Sequence, residues 1–524
     1  MNRALCNRCQ KLVPARHLER DRKIFLVKDC PGCGPTETLL SSNSESYWRK
    51  RKMDSDFQYG SCGLSCLSCQ HKEPNIVFLD ITNRCNLNCP ICINNTPSMG
   101  FLFEPPISYF DTIFKHFAER TPKPSIQLFG GEPTVRKDLI EIIRLAKSYG
   151  LPTRLVTNGV RLADEEYCRR IVETNVTVLL SYDGENPAMY RALRNHEECG
   201  RLKRQAVDNI GRLGGTKVVL MTLVAKGYND TELASIFAFC HERRDFIRGV
   251  YLMPLAHSWD SEKVDLNPER ITTEDLEQAI ENAFPEDVVE FVPTNLLGRI
   301  PTLSRLLGIR EVPFVGGHPN CESMYLLISD GQRYRPLAHY LKQGLTAAAK
   351  DLLLLEDRLA AGEKSLARSL WGRTLRRLHL RQAWQKLVMF KEFARLSRRH
   401  VRLGEALGAR GPAALWRLLR VGLGILAGQK SKKLLRRFTA VQAALQIIVL
   451  PFGDEKNMET DRLQRCPAAF AYVDPKDGRV KHVPNCAWGL HKDKVLREIA
   501  AHYAEMAQPA AEAKTAVNAE ITAE

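Results

Sequence analysis

Short apolar runs and amphipathic stretches alternate between residues 75 and 255 of the chain. Six runs rich in Val, Ile, Leu, Phe and Thr predict strands, at Ile76–Ile81, Ser125–Phe129, Thr153–Thr157, Val176–Ser181, Lys217–Val224 and Ile247–Met253. The stretches between them have apolar residues at helical spacing and predict helices, among them Tyr109–Arg120, Leu139–Tyr149, Asp164–Glu173 and Thr231–Arg243. Six β/α units in series predict an α/β fold with a parallel sheet and right-handed crossovers.

A cysteine loop follows the first predicted strand, at the end of the strand where α/β proteins place their sites. Cys85, Cys89 and Cys92 have a C-x3-C-x2-C spacing. Three thiols in one tight loop can hold three irons of a [4Fe–4S] cube and leave the fourth iron open for a ligand. A zinc site is the alternative, but zinc takes a fourth nearby Cys or His. The spacing therefore favours the iron–sulfur cluster.

The cysteine loop and a glycine-rich turn after the second predicted strand together resemble the radical S-adenosylmethionine superfamily. The turn consists of Gly130, Gly131, Glu132 and Pro133. The resemblance implies a partial (βα)6 barrel like that of TIM, in which the three cysteines ligate the catalytic [4Fe–4S] cluster. It also implies that an electron from this cluster cleaves S-adenosylmethionine to a 5′-deoxyadenosyl radical, which removes hydrogen from unactivated carbon.

The same resemblance assigns residues to cofactor binding. The turn Gly130 to Pro133 meets the methionine amino group, because glycine lets backbone carbonyls approach without a Cβ. Further cofactor contacts are implied after the third and fourth strands, at Thr157, Asn158, Gly159, Ser181 and Asp183. An ordinary turn or helix cap is the alternative for either set.

Residues 1–60 are predicted to form a small head and linker with a metal site of their own. Two C-x2-C pairs supply four thiols, Cys6, Cys9, Cys30 and Cys33. Such pairs predict a tetrahedral four-thiolate site for zinc or a single iron. Because four thiolates leave no open position, we expect a structural site or at most an electron relay.

A second cysteine triplet lies in residues 61–74, just before the predicted barrel at residues 75–335. Cys62, Cys66 and Cys69 repeat the C-x3-C-x2-C spacing but lack a glycine-rich partner. They predict at least one auxiliary iron–sulfur cluster, completed by a distant cysteine. The candidates are Cys321, Cys466 and Cys486, whose pairing the spacing leaves open.

The order of these cysteines is similar to that in the group containing the tetraether lipid synthase and the methanopterin-ring radical methylase. The resemblance covers residues 1–335 and 450–490 and implies a rubredoxin-like iron site and auxiliary clusters. Outside the head and the catalytic loop, six clustered or motif-associated cysteines remain. That number suffices for one complete auxiliary cluster or two incompletely thiolated ones.

The formal net charge of +16 predicts an anionic partner. Residues 336–450 are predicted to be a basic amphipathic helical subdomain, with apolar Trp371, Leu375, Leu378, Trp384, Leu387, Val388 and Phe390 against Arg376, Arg377, Arg381 and Lys386. Either this subdomain has a solvated basic face, or it lies on anionic lipid. Nucleic acid is less favoured, because the stretch has no recognisable RNA-binding module. No apolar stretch reaches the ~18 residues that a spanning helix needs.

Clustered cysteines without a signal peptide favour metal ligation in the cytoplasm. The basic subdomain adds the expectation of a peripheral position on the inner face of the membrane. We expect a radical enzyme that couples or modifies alkyl chains of membrane lipids, with ferredoxin or flavodoxin as electron donor. Radical methylation or modification of a small heterocycle, peptide or RNA is the alternative. Residues 451–507 are predicted to be a cysteine-bearing C-terminal segment, and residues 508–524 a disordered tail.

Overall fold

A computed structural model of the chain describes residues 2–53, 64, 66–69, 73–94, 99–257, 266, 268–307, 317–369, 377, 381–426, 429 and 431–521. Some residues singled out in the sequence lie outside this part, namely Cys62, Trp371, Leu375, Arg376 and Leu378.

The head is a four-stranded antiparallel sheet followed by one helix. Its elements are β1 (Arg3–Leu5), β2 (Leu12–Arg20), β3 (Lys23–Cys30), β4 (Gly34–Ser41) and α1 (Ser44–Lys52). The side chain of Asn43 caps α1 by accepting a hydrogen bond from the backbone of Ser46. On α1 the buried Lys50 donates to Glu274 (2.6 Å) and Glu277 (2.9 Å), so this helix joins the head to the rest of the protein.

Six consecutive strands form a parallel sheet, each paired with the next along the chain. They are β5 (Ile76–Thr82), β6 (Ser125–Gly130), β7 (Thr153–Thr157), β8 (Thr177–Ser181), β9 (Val218–Val224) and β10 (Ile247–Pro254). The accompanying helices are α2 (Ile107–Ala118), α3 (Leu139–Ser148), α4 (Glu165–Glu173), α5 (Pro187–Arg194), α6 (Cys199–Leu213), α7 (Leu233–Glu242) and α8 (Thr273–Asn282). The predicted α/β fold with a parallel sheet is confirmed.

Alternate residues of β5 enter two different apolar clusters, as the two-residue repeat of a strand requires. Val77, Leu79 and Ile81 pack with the helices in the main core, whereas Ile76 packs with Leu179 on the other face of the sheet. Because the strands are parallel, their carboxyl ends lie at one edge of the sheet. The cysteine loop and the glycine-rich turn therefore meet at that edge.

The sheet extends beyond these six strands at both sides. Later elements are β11 (Val292–Pro293), α9 (Pro301–Leu307), β12 (Ser323–Ser329), β13 (Tyr334–Pro336), β14 (Ala443–Val449), β15 (Ala468–Val473) and β16 (Val480–Pro484). Strand β14 pairs in parallel with β10, and β15 pairs in parallel with β5. The remaining strands add in antiparallel pairs, β12 on β14 and β16 on β15.

The sequence predicts a barrel at 75–335 and separate units at 336–450 and 451–507. The structure corrects this division for the strands β14, β15 and β16. β14 belongs to the sheet, although the sequence placed it in the basic subdomain, and β15 and β16 belong to the sheet as well. Pairing between segments hundreds of residues apart leaves no local pattern in either segment. The open edges of β5 and β10 explain why the strands are added, since an unpaired edge exposes backbone donors and acceptors.

Residues 345–438 contain helices α10 (Leu345–Arg368), α11 (Arg381–His400), α12 (Leu403–Leu407), α13 (Gly411–Leu426) and α14 (Ser431–Phe438). Helices α15 (Thr460–Leu463) and α16 (Asn485–Ile521) follow in the C-terminal part. Helix α16 continues through residues 508–521, where the sequence predicts a disordered tail. This segment is rich in Ala and Glu, which favour helix. Among the described residues, no helix is both long and apolar enough to cross a membrane.

A buried ion pair connects the head to the C-terminal part. His17 on β2 lies 2.7 Å from the carboxylate of Glu459, and the side chain of Asn2 donates to the same carboxylate at 2.6 Å. Burial alone would raise the pKa of Glu459, but His17 lowers it to about 2. Burial would lower the pKa of His17, but Glu459 raises it above its ordinary value.

We expect Glu459→Gln to destabilise the folded chain by about 3 kcal/mol, because it leaves a buried cation without its partner. The Glu459 carboxylate stabilises the folded state fully at pH values above its unfolded pKa of 4.5. The His17 imidazolium does so at pH values below its unfolded pKa of 6.5. The loss of stability in the variant is therefore largest between pH 4.5 and 6.5. It shrinks as the pH falls through the folded pKa of Glu459 or rises through that of His17. Urea denaturation at pH 5.5 and 8.5 measures this loss. The control is Glu455→Gln, which removes the charge of an exposed carboxylate that accepts a hydrogen bond from Gln10. Equal losses in the two variants would contradict the expectation.

Candidate active site

One cavity, with a volume of about 1140 Å³, is lined by most of the residues that the sequence assigned to the catalytic cluster and the cofactor. Its lining includes Cys85, Cys89, Cys92, Gly130, Gly131, Glu132, Thr157, Asn158 and Ser181. These residues follow the carboxyl ends of β5, β6, β7 and β8. Three further candidates, Pro133, Gly159 and Asp183, are not among its lining residues.

The cysteine loop is held by the apolar residues between its thiols. Leu87 and Ile91 are buried in a cluster with Met189, Tyr190 and Leu193 of α5. The backbone N–H of Leu87 donates to the sulfur of Cys85 (3.4 Å). The position of Ile91, where the resembled family often has an aromatic residue, thus serves to anchor the loop. The three thiols are consequently presented to the cavity by a loop fixed on its other side.

The glycine-rich turn and the cysteine loop are joined through their backbones. The N–H of Gly131 donates to the carbonyl of Thr82, and the N–H of Glu132 to that of Arg84, both at 2.8 Å. A Cβ on Gly131 would lie 2.7 Å from the carbonyl carbon of Arg84. The sequence predicted that the glycines make room for a cofactor. In the structure the Cβ positions of Gly130 and Gly131 are taken by the backbone of the cysteine loop.

The side chain of Glu132 joins two loops of the site. Its carboxylate accepts hydrogen bonds from the hydroxyl of Thr157 (2.6 Å), the backbone N–H of Asn158 (2.7 Å) and the hydroxyl of Thr134 (2.6 Å). It therefore ties the loop after β6 to the loop after β7. Glu132 also lines the cavity, and the cofactor contact predicted for its turn, through backbone carbonyls, stays a prediction.

Asp183 also has a positioning role. It is fully buried, and Arg194 donates to both its oxygens, at 2.9 and 3.0 Å. Burial alone would raise the pKa of Asp183, but Arg194 and Lys203 hold it below its ordinary value. The predicted contact of Asp183 with the cofactor is thus replaced by a contact with Arg194. That arginine, at the end of α5, does line the cavity.

Arg194 and Lys203 are the cationic residues of the cavity that sequence reasoning missed. Lys203 donates to the hydroxyl of Ser181 (2.9 Å) and to its carbonyl (2.8 Å). The sequence does contain a signal for Lys203. It lies four residues from both Cys199 and Val207, so that a lysine stands on the buried apolar face of α6. Two fixed cations beside three thiols can hold the carboxylate of a bound ligand.

Burial dominates the electrostatics of the thiols themselves. It raises the pKa of Cys85 to about 12 and raises that of Cys89 as well, although Arg194 opposes the shift at Cys89. As free thiols these groups are therefore protonated at neutral pH. Metal binding would release their protons, since thiolates are the ligating form.

Part of the cavity wall is apolar. It includes Phe78, Phe129, Val156, Met221, Leu223, Met253, Leu255 and Phe452. Three of these residues, Phe78, Phe129 and Phe452, also line a neighbouring cavity that contains Cys486. An apolar wall next to a cationic and thiol-bearing end suits a ligand with a polar and an apolar part.

The three dispersed cysteines of the C-terminal half come together around Arg462. The guanidinium of Arg462 donates to the sulfur of Cys321 (3.4 Å), and the thiols of Cys321 and Cys486 raise the pKa of this buried arginine despite its desolvation. Burial raises the pKa of Cys466, and the other two thiols raise it further. Cys69 lies against β16, where its N–H donates to the carbonyl of His482 (2.8 Å). Which of these thiols ligate an auxiliary cluster stays a prediction.

The four cysteines of the head form the most compact group of donors. The sulfurs of Cys6, Cys9, Cys30 and Cys33 all lie within 4.8 Å of one another, and no other group of three or more donors among the described residues does so. Backbone N–H groups of Cys9 and Arg8 lower the pKa of the Cys6 thiol to about 6. A tetrahedral thiolate site is therefore already formed by the fold.

Comparisons with known proteins agree with this geometry. The sequence profile of the Radical SAM superfamily matches residues 79–240, and that of the HMPTM N-terminal zinc ribbon domain matches residues 2–42. The 7,8-dihydro-6-hydroxymethylpterin dimethyltransferase of Methanocaldococcus jannaschii is 30% identical over 354 residues, which cover 64% of this chain and 70% of that protein.

More distant relatives share only the central part. The GTP 3',8-cyclase of Nautilia profundicola is 30% identical over 189 residues, 35% of this chain and 57% of the cyclase. The chain therefore spans little more than half of that relative. A crystal structure of Streptococcus suis SuiB bound to precursor peptide SuiA superimposes with a TM-score of 0.34 at 12% identity, over 53% of this chain and 69% of that one.

Proposed function

The chain belongs to the radical S-adenosylmethionine superfamily, and on that premise we propose that it removes hydrogen from the alkyl chains of membrane lipids to couple or modify them. The observation that carries the choice of substrate is the apolar wall of the cavity. An alkyl chain has no polar group to match, so a wall of this kind supplies its binding by burial of apolar surface.

Membership in the superfamily implies a [4Fe–4S] cluster and S-adenosylmethionine, and the donor set fits them. Three thiols on one loop leave a cluster position open towards the cavity, next to Arg194 and Lys203. When bound, the two groups supply a radical that can take hydrogen from unactivated carbon. In our proposal Cys85, Cys89 and Cys92 ligate the cluster. Ser181, Arg194 and Lys203 would hold the carboxylate of the methionine, and Asn158 would contact the cofactor from the loop after β7.

The remaining tasks of the protein are to fix the geometry and exclude water. Glu132 holds the loops after β6 and β7 together, and Asp183 holds Arg194 in place. Both carboxylates are buried, so these contacts are little weakened by solvent. Phe78, Phe129 and Phe452 line the cavity and would help to keep water from a reactive carbon.

Further metal sites belong to the same proposal. We assign Cys321, Cys466 and Cys486 to an auxiliary iron–sulfur cluster, in the group of thiols around Arg462. The triplet at residues 62–69 would contribute ligands to such a cluster or to a second one. The head holds zinc or a single iron, and ferredoxin or flavodoxin supplies electrons. The enzyme would work in the cytoplasm, at the inner face of the membrane.

A second candidate is radical methylation of a pterin-like ring. The observation that favours it is the 30% identity to the pterin dimethyltransferase, which extends over 354 residues. A flat ring would also pack against an aromatic side chain of the cavity, such as Phe129. The choice between the two candidates depends on the substrate and not on the radical machinery.

Mass spectrometry of hydrolysed total lipids tests the proposal. Cells with an active copy should contain chain-coupled or otherwise altered long-chain species that are missing from cells carrying the Cys89→Ala copy. An unchanged lipid profile, with a methylated pterin that depends on Cys89, would replace the lipid proposal by the second candidate.

A further inference from the structure

Helix α13 turns an apolar face to the solvent. Leu415, Leu419 and Leu423 follow one another at four-residue spacing and are 56%, 53% and 63% exposed, and the neighbouring Trp416 is 51% exposed. Residues four apart lie on the same side of a helix. Isolated exposed leucines need no explanation, but a contiguous stripe of this kind marks an interaction surface. We call Leu415, Trp416, Leu419 and Leu423 the α13 face.

The outward orientation of this face is fixed by contacts on the other side of the helix. Gly424 packs so closely on α14 that a Cβ there would lie 2.7 Å from a methyl carbon of the buried Leu434. Arg417 donates to the carbonyl of Leu407 (2.7 Å) at the end of α12. The helix is thus docked through its other side, and the α13 face is left for a partner.

Positive charges surround the α13 face. The guanidinium of Arg420 lies 5.0 Å from the ring centroid of Trp416, and the ring of Trp416 packs on Phe438 with centroids 5.8 Å apart. Lys433 and Arg437 of α14 are exposed nearby in the chain. The sequence has no Asp or Glu between Glu405 and Asp454. The surroundings of the face are therefore complementary to a surface that is both apolar and anionic.

We propose that the α13 face docks on an anionic lipid bilayer, with the helix lying in the plane of the interface. Leucine side chains then enter the boundary of the acyl chains, the indole of Trp416 occupies the interface, and Arg420, Lys433 and Arg437 contact lipid phosphates. This inference rests on the proposed function, because it names the membrane as the partner of a lipid-modifying enzyme. A second copy of the chain fits less well, because two α13 faces would bring like charges together.

Sedimentation with vesicles tests this inference on the full chain, without S-adenosylmethionine or reductant. We expect binding to phosphatidylglycerol vesicles, weak binding to phosphatidylcholine vesicles, and loss of binding in high salt. Leu419→Glu should weaken binding to the anionic vesicles at least about tenfold, since it adds a carboxylate where lipid would insert. Val288→Glu makes the same charge change at a residue that is 74% exposed outside the helical block, and should bind as the unaltered chain does.

Three results would overturn the inference: no binding to anionic vesicles at low salt, equal binding by the Leu419→Glu and unaltered chains, or a dimer that Leu419→Glu dissociates in sedimentation velocity. Because Leu419 is exposed, its replacement should leave the thermal unfolding temperature unchanged, which separates lost docking from lost fold. Cys89→Ala should bind vesicles normally. Failure of the docking surface is thus distinct from failure of the radical chemistry.

Discussion

Cys89→Ala is expected to reduce formation of 5′-deoxyadenosine from S-adenosylmethionine at least about a hundredfold. Loss of even an outer partner of a metal ligand costs 10–100-fold, and this variant removes a ligand itself. The thiol of Cys89 lines the cavity together with Cys85 and Cys92. With two thiols left on the loop, the cluster would lack one of its three protein ligands. The site would then lose the group that supplies the electron.

The measurement is anaerobic incubation with dithionite, with deoxyadenosine followed by liquid chromatography and mass spectrometry. Cys168→Ala is the matched control, because Cys168 lies on the buried face of α4 and outside the cavity. The head should keep its metal in both variants. Cleavage of S-adenosylmethionine by Cys89→Ala at the unaltered rate would contradict the assignment of the cluster.

Gly131→Ala is expected to have the second largest effect, a loss of about 3 kcal/mol in folding stability together with most of the cleavage activity. Overpacking a filled site typically costs 1–3 kcal/mol. Here the new Cβ would lie 2.7 Å from the carbonyl carbon of Arg84 and 2.9 Å from the carbonyl oxygen of Asn83. These are backbone atoms, so no side chain can turn away. The cysteine loop must shift, and its thiols shift with it.

Urea denaturation and iron content of the reconstituted protein measure the two parts of this effect. Gly362→Ala is the control, since Gly362 lies in α10 and a Cβ there meets no atom within 4 Å. The control should be neutral or slightly stabilising, because alanine favours helix over glycine. Equal iron content in Gly131→Ala and the unaltered chain would show that the glycine turn does not fix the cysteine loop.

The β/α repeat could be predicted from sequence because each unit carries its own local signal. The third strand was placed at Thr153–Thr157, as observed, and the others within one or two residues. A strand of Val, Ile and Leu followed by an amphipathic helix has few other stable arrangements. The position of the cysteine loop after β5 followed from the same pattern.

What local patterns could not show is contact between distant segments. The pairing of β15 with β5 joins residues almost four hundred positions apart, and Cys321, Cys466 and Cys486 are likewise dispersed in the sequence. Asp183 was expected to contact the cofactor, because a carboxylate at a strand end looks the same in sequence whether it meets a ligand or a neighbouring side chain. Only its hydrogen bonds with Arg194 show the second arrangement.

Transfer of deuterium from a lipid tail to 5′-deoxyadenosine tests the central claim most directly. The reduced enzyme is incubated with S-adenosylmethionine and phosphatidylglycerol vesicles whose acyl chains are fully deuterated, and the mass of the deoxyadenosine is measured. Hydrogen removal from an alkyl chain predicts deoxyadenosine that carries one deuterium. Deoxyadenosine formed without deuterium from these vesicles, in a protein that does bind them, would contradict the account and leave a different substrate for the same cavity.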